Sequence, residues 1–337
     1  MSAAGGSGAR AQSRVEPRRV EIHLGNSCNN LCVFCMSGVN RDQHEPWATR
    51  DRVFEELRYF HERGCRAVGF LGGEPTVYPH IIESVGFARE LGYTRISICS
   101  NGTRLRDAVF CRRLVEAGLT RATLSVHSRH PEIEDRLATR VPGNLARKIA
   151  GLRNLIALRG EGYLRDGVSL NPVLFRRNLS DVEEYVSYFG GLGVDDIRFN
   201  YIWPEGDVHS DPAWVPSLRE AMPSIVRLML INERKLKKRL TFGGVPKCAL
   251  RLAGVSGRLL SYLAAKYLDE CGFDPANDVS IATREAEDCD RFVWQEVKRD
   301  RLKVQAASCG DCTERRRCEG VWRSYAQLYG LAELQPL

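Results

Sequence analysis

The stretch SCNNLCVFC, residues 27–35, places three cysteines on one short segment. Cys28, Cys32 and Cys35 are separated by three and then by two residues. A closed iron–sulfur cluster or a structural zinc site normally takes four protein ligands. Three thiolates therefore either recruit a distant fourth ligand or leave one coordination position of their metal open. A zinc site and buried structural thiols are the competing interpretations of this spacing taken alone.

Around this stretch, short apolar runs alternate with amphipathic runs from residue 18 to residue 202. The alternation predicts βα units built around a parallel sheet. The predicted strands cover residues 19–24, 67–71, 95–99, 121–126, 168–174 and 196–201. The predicted helices cover residues 50–63, 80–91, 105–117, 146–158 and 181–189. Since the cysteine stretch follows the first strand, we expect it at the carboxyl ends of the strands, where such sheets gather their active sites.

The pattern changes after residue 206, and the chain divides into three predicted parts. Residues 1–17 are rich in Gly, Ala and Ser and predict a disordered N-terminus. Residues 18–243 predict an α/β domain that ends in one long helical segment, residues 217–240. Residues 244–337 predict a small, cysteine-rich C-terminal domain.

Composition limits the possible classes of protein. The 337 residues are 43% hydrophobic, enough for one large domain with a smaller appendage. No apolar stretch approaches a membrane span, and residues 1–14 lack the apolar core of a secretion signal, so we expect a cytoplasmic protein without a membrane partner. Its twelve cysteines then fit metal ligation better than disulfides.

The net charge of +7 includes two basic runs, at residues 234–239 and 315–317. Neither run is interleaved with aromatic residues, which favours solvated faces over a nucleic-acid partner. An acidic substrate or an acidic leader peptide remains open.

Two turns come directly after the second and third predicted strands. They are GGEP at residues 72–75 and SNGT at residues 100–103. Paired glycines let a backbone approach a ligand closely, and a carboxylate beside them accepts charge-assisted hydrogen bonds from an ammonium group. Either segment also suits a plain connection, since Asn-Gly is an ordinary tight turn.

The C-x3-C-x2-C spacing, with the GGEP turn one strand downstream, resembles the radical S-adenosylmethionine (SAM) superfamily. In that family the open iron of a four-iron cluster is chelated by the amino and carboxylate groups of SAM, and one electron from the cluster cleaves SAM to a 5′-deoxyadenosyl radical. The resemblance implies that Cys28, Cys32 and Cys35 hold this catalytic cluster. It also implies an α/β fold that is a partial, TIM-like (βα)6 barrel, because six units are too few for an eight-stranded barrel.

The resemblance further implies which residues contact SAM. Gly72, Gly73 and Glu74 match the family segment that receives the ammonium group. Asn101 lies in the equivalent of the family's T-N-G turn, where Ser100 replaces the usual threonine. The remaining implied contacts match an aromatic residue before the third cysteine and polar residues of the fourth and fifth strands: Phe34, Ser125 and Asn171. A buried serine bonded to backbone is the competing interpretation of Ser125.

A second cysteine set, Cys309-x2-Cys312-x5-Cys318, is similar to the auxiliary-cluster region of the SPASM and twitch subgroup. The full SPASM pattern has a further cysteine four positions after Cys318, where this chain has Trp322, and no cysteine follows. The resemblance therefore implies one auxiliary [4Fe-4S] cluster rather than two, with a zinc site as the alternative. Its fourth ligand must come from upstream, and Cys248 is preferred over the other two candidates, Cys271 and Cys289.

Three other cysteines lie on predicted strands or helices. They are expected to be buried, inert thiols that serve only in packing. These residues are Cys65, Cys99 and Cys111.

The resemblance implies an oxidoreductase that abstracts a hydrogen from an unactivated carbon of its substrate. We expect an oxidative or bond-forming modification, foremost of a ribosomally made peptide. Only 27 residues precede Cys28, so a peptide substrate predicts a separate leader-peptide-binding protein. A flavodoxin or ferredoxin is the expected reductant.

Two alternatives remain open at this stage. The first is a small-molecule dehydrogenase or epimerase that acts on a sugar or cyclitol in natural-product or cofactor biosynthesis. An epimerase needs a cysteine that donates hydrogen, for which Cys271 and Cys289 are candidates. The second is a non-catalytic iron–sulfur or zinc scaffold, which predicts that SAM does not perturb the cluster.

Overall fold

A ten-stranded sheet forms the frame of the protein in a computed structural model that describes residues 19–35, 47–209, 211–268, 277–283 and 291–337. The predicted N-terminal disorder, residues 1–17, lies outside these ranges. The strands are β1 (Arg19–His23), β2 (Ala67–Leu71), β3 (Arg95–Ser100), β4 (Arg121–Leu124), β5 (Gly167–Leu170), β6 (Val173–Leu174), β7 (Asp196–Tyr201), β8 (Arg239–Gly243), β9 (Asn277–Ile281) and β10 (Arg291–Val293). A separate two-stranded sheet pairs β11 (Lys303–Val304) with β12 (Val321–Trp322).

Helices connect most of these strands. They are α1 (Arg50–Glu62), α2 (Ile81–Leu91), α3 (Ala108–Glu116), α4 (Pro131–Ile133), α5 (Asn144–Gly160), α6 (Val182–Leu192), α7 (Leu218–Ile231), α8 (Gly257–Tyr267), α9 (Trp294–Val297) and α10 (Arg323–Tyr329). None of the described helices is long and apolar enough to cross a membrane.

The sheet runs in the order β10-β9-β1-β2-β3-β4-β5-β7, with β6 and β8 also paired to β7. Every pair is parallel except β9 with β10. The predicted α/β partial barrel is confirmed. The predicted fifth strand is split into β5 and β6, since Pro172 between them has no N–H for the ladder.

The predicted helix over residues 217–240 is wrong beyond Leu236, because α7 continues only as a π-helical turn over Asn232–Leu236. Ser217 begins α7 with a capping box to Glu220, but residues 239–243 form β8 against β7. Leu240 and Phe242 are buried at two-residue spacing, which is the period of a strand. This alternation is short and directly follows the basic run at residues 234–239, so the sequence pattern does not indicate a strand.

The strand β10 at the edge of the sheet and its neighbour β9 were not predicted. Strand β9 pairs with β1 along its whole length, from Arg19 with Asn277 to His23 with Ile281. Residues of the predicted C-terminal part therefore extend the barrel's own sheet. The boundary near residue 243 stays a prediction.

Alternate residues of each barrel strand face opposite sides of the sheet. In β1, Val20 and Ile22 are fully buried beneath the helices, whereas Arg19 and Glu21 line the interior of the barrel. The hydrophobic core thus lies between sheet and helices, and the barrel interior is polar.

Candidate functional site

The three-cysteine loop lies at the carboxyl end of β1, as predicted. The backbone N–H of Leu24 donates to the carbonyl of Leu71, 2.9 Å away, so the loop leaves the sheet beside the end of β2. Cys28 is exposed, whereas Cys32 and Cys35 are half-buried, and none of the three forms a disulfide. Burial raises the pKa of the Cys32 thiol to about 12. A metal cation would be needed to hold that thiol as a thiolate at neutral pH.

The GGEP turn packs directly against this loop. Gly73 N–H donates to the carbonyl of Gly25 (2.6 Å), and Glu74 N–H donates to that of Ser27 (2.9 Å). A Cβ atom on Gly73 would lie 2.0 Å from the Ser27 carbonyl oxygen, and one on Gly72 would lie 2.5 Å from that of Gly25. The two glycines therefore permit contact between two protein segments. Their contact with SAM stays a prediction.

The Glu74 side chain is buried between two turns, with 1% of its surface exposed. Its carboxylate accepts hydrogen bonds from Thr76 N–H (3.0 Å) and Thr76 Oγ1 (2.5 Å). It also accepts from Ser100 Oγ (2.6 Å) and Asn101 N–H (2.6 Å). Glu74 thereby joins the GGEP turn to the turn after β3, and its predicted contact with an ammonium group remains a prediction.

Asn101 brings the turn after β3 to the cysteine loop. Its Nδ2 donates to Asn29 Oδ1 at 2.6 Å and lies 3.8 Å from Cys28 Sγ. Its Oδ1 accepts from Thr103 N–H at 3.0 Å, which fixes the direction of the amide. A hydrogen bond to a metal-bound sulfur orients that ligand and tunes its metal.

Ser125 and Asn171 follow β4 and β5 and are half-buried at the carboxyl end of the barrel. The side chains of both contact the thiol of Cys99 on β3. Cys99 lines the barrel interior and is half-buried, so the prediction of full burial is wrong here, whereas the inertness of its thiol stays a prediction. The alternation within β3 turns it inward. The other two thiols of that group are fully buried, as predicted: Cys65 and Cys111.

A buried ion pair supports the same end of the barrel. Lys148 Nζ lies 2.6 Å from Glu134 Oε1, and both side chains are fully buried. Lys148 also donates to the Ser125 carbonyl (2.6 Å), while Glu134 Oε2 accepts from the N–H groups of His127 (2.7 Å) and Ser128 (2.8 Å). Burial opposes ionisation of Glu134, but the Lys148 ammonium and the hydrogen bonds to the carboxylate together hold its pKa below the ordinary value. Sequence reasoning missed this pair, because its members lie on different elements.

Phe34 fastens the cysteine loop to the interior. Its ring meets that of His127 edge-on at a centroid distance of 4.9 Å and lies 5.6 Å from that of Phe175. Leu31 N–H donates to the Thr139 carbonyl at 3.0 Å. Burial lowers the pKa of His127 to about 4, so its ring is neutral at pH 7. Phe34 thus has a packing role, and its predicted SAM contact is untested.

Four cysteines meet at a second place, around one small pocket. Cys248 lies in the turn Lys247–Ala253. Cys309 lies in the turn Ala307–Asp311, and Cys312 directly follows that turn. Cys318 lies three residues before β12. Burial raises the pKa of Cys248 to about 11. The upstream cysteine preferred in the sequence thus lines the same pocket as the three downstream ones.

The other two candidates for a fourth ligand, Cys271 and Cys289, lie outside the described residues. Among the described residues, no three or more histidine, cysteine, aspartate or glutamate side chains converge on one point where a single metal ion would sit. An all-thiol set around a pocket matches the donor chemistry of an iron–sulfur cluster.

The segment after β7 connects the two cysteine sites. Trp203 stacks on Trp322, with ring centroids 4.3 Å apart and planes 4° apart. Asp207 N–H donates to the carbonyl of Val33 in the cysteine loop at 3.0 Å. Trp322, which occupies the position of the missing SPASM cysteine, therefore packs against the barrel.

Between the strands lies a chamber of about 710 Å3. Barrels of this type usually fill their interior with branched apolar side chains. Here the inward residues are mostly small or polar, as in β2 and β3: Ala67, Gly69, Ser97 and Cys99. The chamber extends to Cys99 and Asn171, below the cysteine loop.

This geometry has counterparts among known proteins. Residues 22–189 match the family model described as the Radical SAM superfamily. A probable GTP 3',8-cyclase of Sulfolobus acidocaldarius is 28% identical over 194 residues, which cover 56% of this chain and 56% of the relative. One of Saccharolobus islandicus is 30% identical over 190 residues, which cover 56% and 58%. The chain thus spans a little over half the length of the curated relatives it matches.

Two solved structures share the fold over most of the chain. Streptococcus suis SuiB bound to its precursor peptide SuiA superimposes with a TM-score of 0.60 at 14% identity, covering 95% of this chain and 75% of SuiB. Native anSMEcpe with bound AdoMet gives a TM-score of 0.60 at 15% identity, covering 94% and 92%. Identities this low show a common fold alone.

Proposed function

Since residues 22–189 form a domain of the radical SAM superfamily, we propose that this chain is a SPASM/twitch-like enzyme that abstracts a hydrogen atom from its substrate and completes an oxidative or bond-forming modification. One observation carries the proposal. Three thiols share one loop at the carboxyl end of the strands that enclose a chamber large enough for a substrate, and one of them, Cys28, is exposed.

Cys28, Cys32 and Cys35 would hold the catalytic [4Fe-4S] cluster. When bound, this cluster and SAM supply a 5′-deoxyadenosyl radical as the hydrogen abstractor. The backbone of Gly72 and Gly73 holds the cysteine loop close to the sheet. The expected SAM contacts lie on three turns and two strand ends around that loop: Phe34, Gly72, Gly73, Glu74, Asn101, Ser125 and Asn171.

The second thiol set would hold one auxiliary [4Fe-4S] cluster as an electron acceptor. The convergence of Cys248 with Cys309, Cys312 and Cys318 on one pocket supports a site closed by four protein ligands. A closed site exchanges electrons and leaves no position for SAM. Flavodoxin or ferredoxin as the source of electrons stays a prediction.

The substrate class is the least supported part. A ribosomally made peptide remains the first expectation from the subgroup resemblance, together with a separate leader-binding protein. A small-molecule substrate is favoured by a specific observation, the 710 Å3 chamber inside the barrel, because pockets for small ligands measure about 300–1,000 Å3.

Anaerobic reconstitution tests the proposal. The protein is loaded with iron and sulfide, both are counted, and 5′-deoxyadenosine is measured after reduction with SAM. We expect about eight irons per chain, from two four-iron clusters, and SAM cleavage. A protein that holds zinc, or that releases no 5′-deoxyadenosine under strong reduction, would refute the proposal.

A further inference from the structure

The amino-terminal end of the barrel chamber is lined by positive charge. Five strands there begin with a charged residue, and four of these are arginines: Arg19 on β1, Arg95 on β3, Arg121 on β4 and Arg239 on β8, beside Asp196 on β7. Among the described residues, seven arginine and lysine side chains and two carboxylates line the chamber, a formal excess of five positive charges.

Ion pairs inside the protein neutralise only part of this charge. Arg121 Nη2 lies 2.8 Å from Asp196, Arg19 Nη2 lies 2.7 Å from Glu21, and Lys266 Nζ lies 2.6 Å from Glu233 Oε1. Within the described part of the chain, Arg95 and Arg239 form no ion pair. Arg121 and Arg19 are close enough to Arg95 for their charges to repel its own, and the carboxylates of Asp166 and Asp196 oppose that repulsion. Cations that are gathered without enough partners favour binding of an anion.

The interior also has the necessary room. Gly69 on β2 stands where a Cβ atom would approach Ser97 Oγ to 3.2 Å and Arg19 Nη2 to 3.3 Å. A larger residue at position 69 would take up space inside the chamber, so the glycine keeps that space open. Arg95 and Cys99 are four residues apart on β3, so at about 3.3 Å per residue they are separated by about 13 Å along the chamber.

We propose that this chamber binds a small phosphorylated molecule as substrate. Its phosphate groups would lie among Arg95, Arg121 and Arg239 at the amino-terminal end. The carbon that loses hydrogen would lie near Cys99 and Ser125 at the carboxyl end. Only the last point rests on the function proposed above, since phosphate binding does not require the radical reaction.

Phosphate fits the chamber better than a single carboxylate or a neutral sugar. Guanidinium groups bind phosphate oxygens through paired, charge-assisted hydrogen bonds. Arginines on three different strands surround a ligand from several sides, which suits a group with oxygens in every direction. A separation of about 13 Å also matches the length of a sugar phosphate or nucleotide, given the strand rise.

Titration calorimetry on the anaerobic, reconstituted protein tests the proposal with inorganic pyrophosphate as the probe. GTP, succinate and an acidic peptide are titrated separately. We expect pyrophosphate and GTP to bind, to compete with each other and to weaken as salt rises, while succinate and the peptide do not compete. Arg95→Gln and Arg239→Gln should each weaken pyrophosphate binding about tenfold, since each removes a charged hydrogen-bonding group.

Arg153→Gln is the matched control, because Arg153 is exposed on helix α5 and does not line the chamber. Wild-type protein that does not bind pyrophosphate, or equal weakening by all three variants, overturns the proposal. The same samples are assayed for SAM cleavage. Protein that cleaves SAM without binding pyrophosphate contradicts only the phosphate site, and the reverse result contradicts only the radical SAM function.

Discussion

The two cysteine sites of this protein differ in how many thiols they supply and where those thiols come from. The N-terminal site has three, one of them exposed, on a single loop between residues 28 and 35. The C-terminal site has four, drawn from positions as far apart as residues 248 and 318, around one pocket. Metal sites that are complete in protein ligands serve structure or electron transfer, whereas incomplete ones bind a reactant. The proposed function therefore places the chemistry at the first site and electron acceptance at the second.

Removal of a ligand from the open site should have the largest effect. Cys28→Ala, Cys32→Ala and Cys35→Ala should each lower the rate of SAM cleavage by more than about 100-fold, because even changes beyond the direct ligands of a metal reach about that size. Iron should fall from about eight to about four per chain. Release of 5′-deoxyadenosine and iron content measure the two effects. If these variants retained SAM cleavage, the three-cysteine loop would not be the site that cleaves SAM.

Removal of a ligand from the closed site should have a narrower effect. Cys248→Ala should lower iron from about eight to about four per chain, while SAM cleavage without substrate persists, because the N-terminal loop is untouched. Cys111→Ala is the control, since that thiol is fully buried on α3 away from both sites. If Cys248→Ala retains all its iron, another residue is the fourth ligand.

The open site should also depend on the glycines beneath it. Gly73→Ala would place a Cβ atom 2.0 Å from the Ser27 carbonyl, and overpacking of this kind costs about 1–3 kcal/mol. Gly86→Ala is the matched control, because nothing lies within 4 Å of a Cβ atom there, and it should stabilise helix α2 by about 0.5–1 kcal/mol. Denaturant unfolding measures both. Equal effects would show that the loop does not rest on this turn.

The narrowest expected effect is a dependence of stability on pH near the cysteine loop, since it develops only below pH 6.5. Burial holds the pKa of His127 at about 4 in the folded protein, against 6.5 when the residue is exposed. The unfolded state therefore binds the proton more readily, so stability is complete above pH 6.5 and falls by up to about 3 kcal/mol as the pH drops towards 4. His127→Asn should remove that contribution from the slope of unfolding free energy against pH.

Part of the slope should persist in that variant, since burial also lowers the pKa of His23 to about 4. His80→Asn serves as the control, because the His80 side chain is 41% exposed. An unchanged slope in His127→Asn would mean that this ring is not protected from protonation in the folded state.

Much of the open site could be predicted because it is assembled from segments that each follow a strand. Parallel strands end at a common edge, so the loop after β1 and the turns after β2 and β3 had to meet. The hydrogen bond between Asn101 and the cysteine loop follows from that arrangement. Cys248 lines the same pocket as the three downstream thiols, and its role as the fourth ligand stays a prediction.

Other features depend on tertiary packing and left no local pattern. Lys148 and Glu134 lie on two different helical segments and form a buried ion pair. The sequence around each residue does not distinguish it from a charged residue on the surface. Cys99 lies on the face of β3 that points into the barrel, and the barrel interior contains a chamber instead of a packed core. The short strand β8 was concealed by the basic residues before it. In each case the fold determines the role, and the local residue pattern is ambiguous.

Electron paramagnetic resonance of a reduced protein in which Cys248, Cys309, Cys312 and Cys318 are all changed to alanine, with and without SAM, tests the central claim most directly. This variant keeps only the N-terminal thiol set, so any cluster signal comes from the three-cysteine loop. The account predicts a [4Fe-4S] signal that changes when SAM is added, because one iron has no protein ligand. A signal that is indifferent to SAM, or no cluster signal at all, would contradict it.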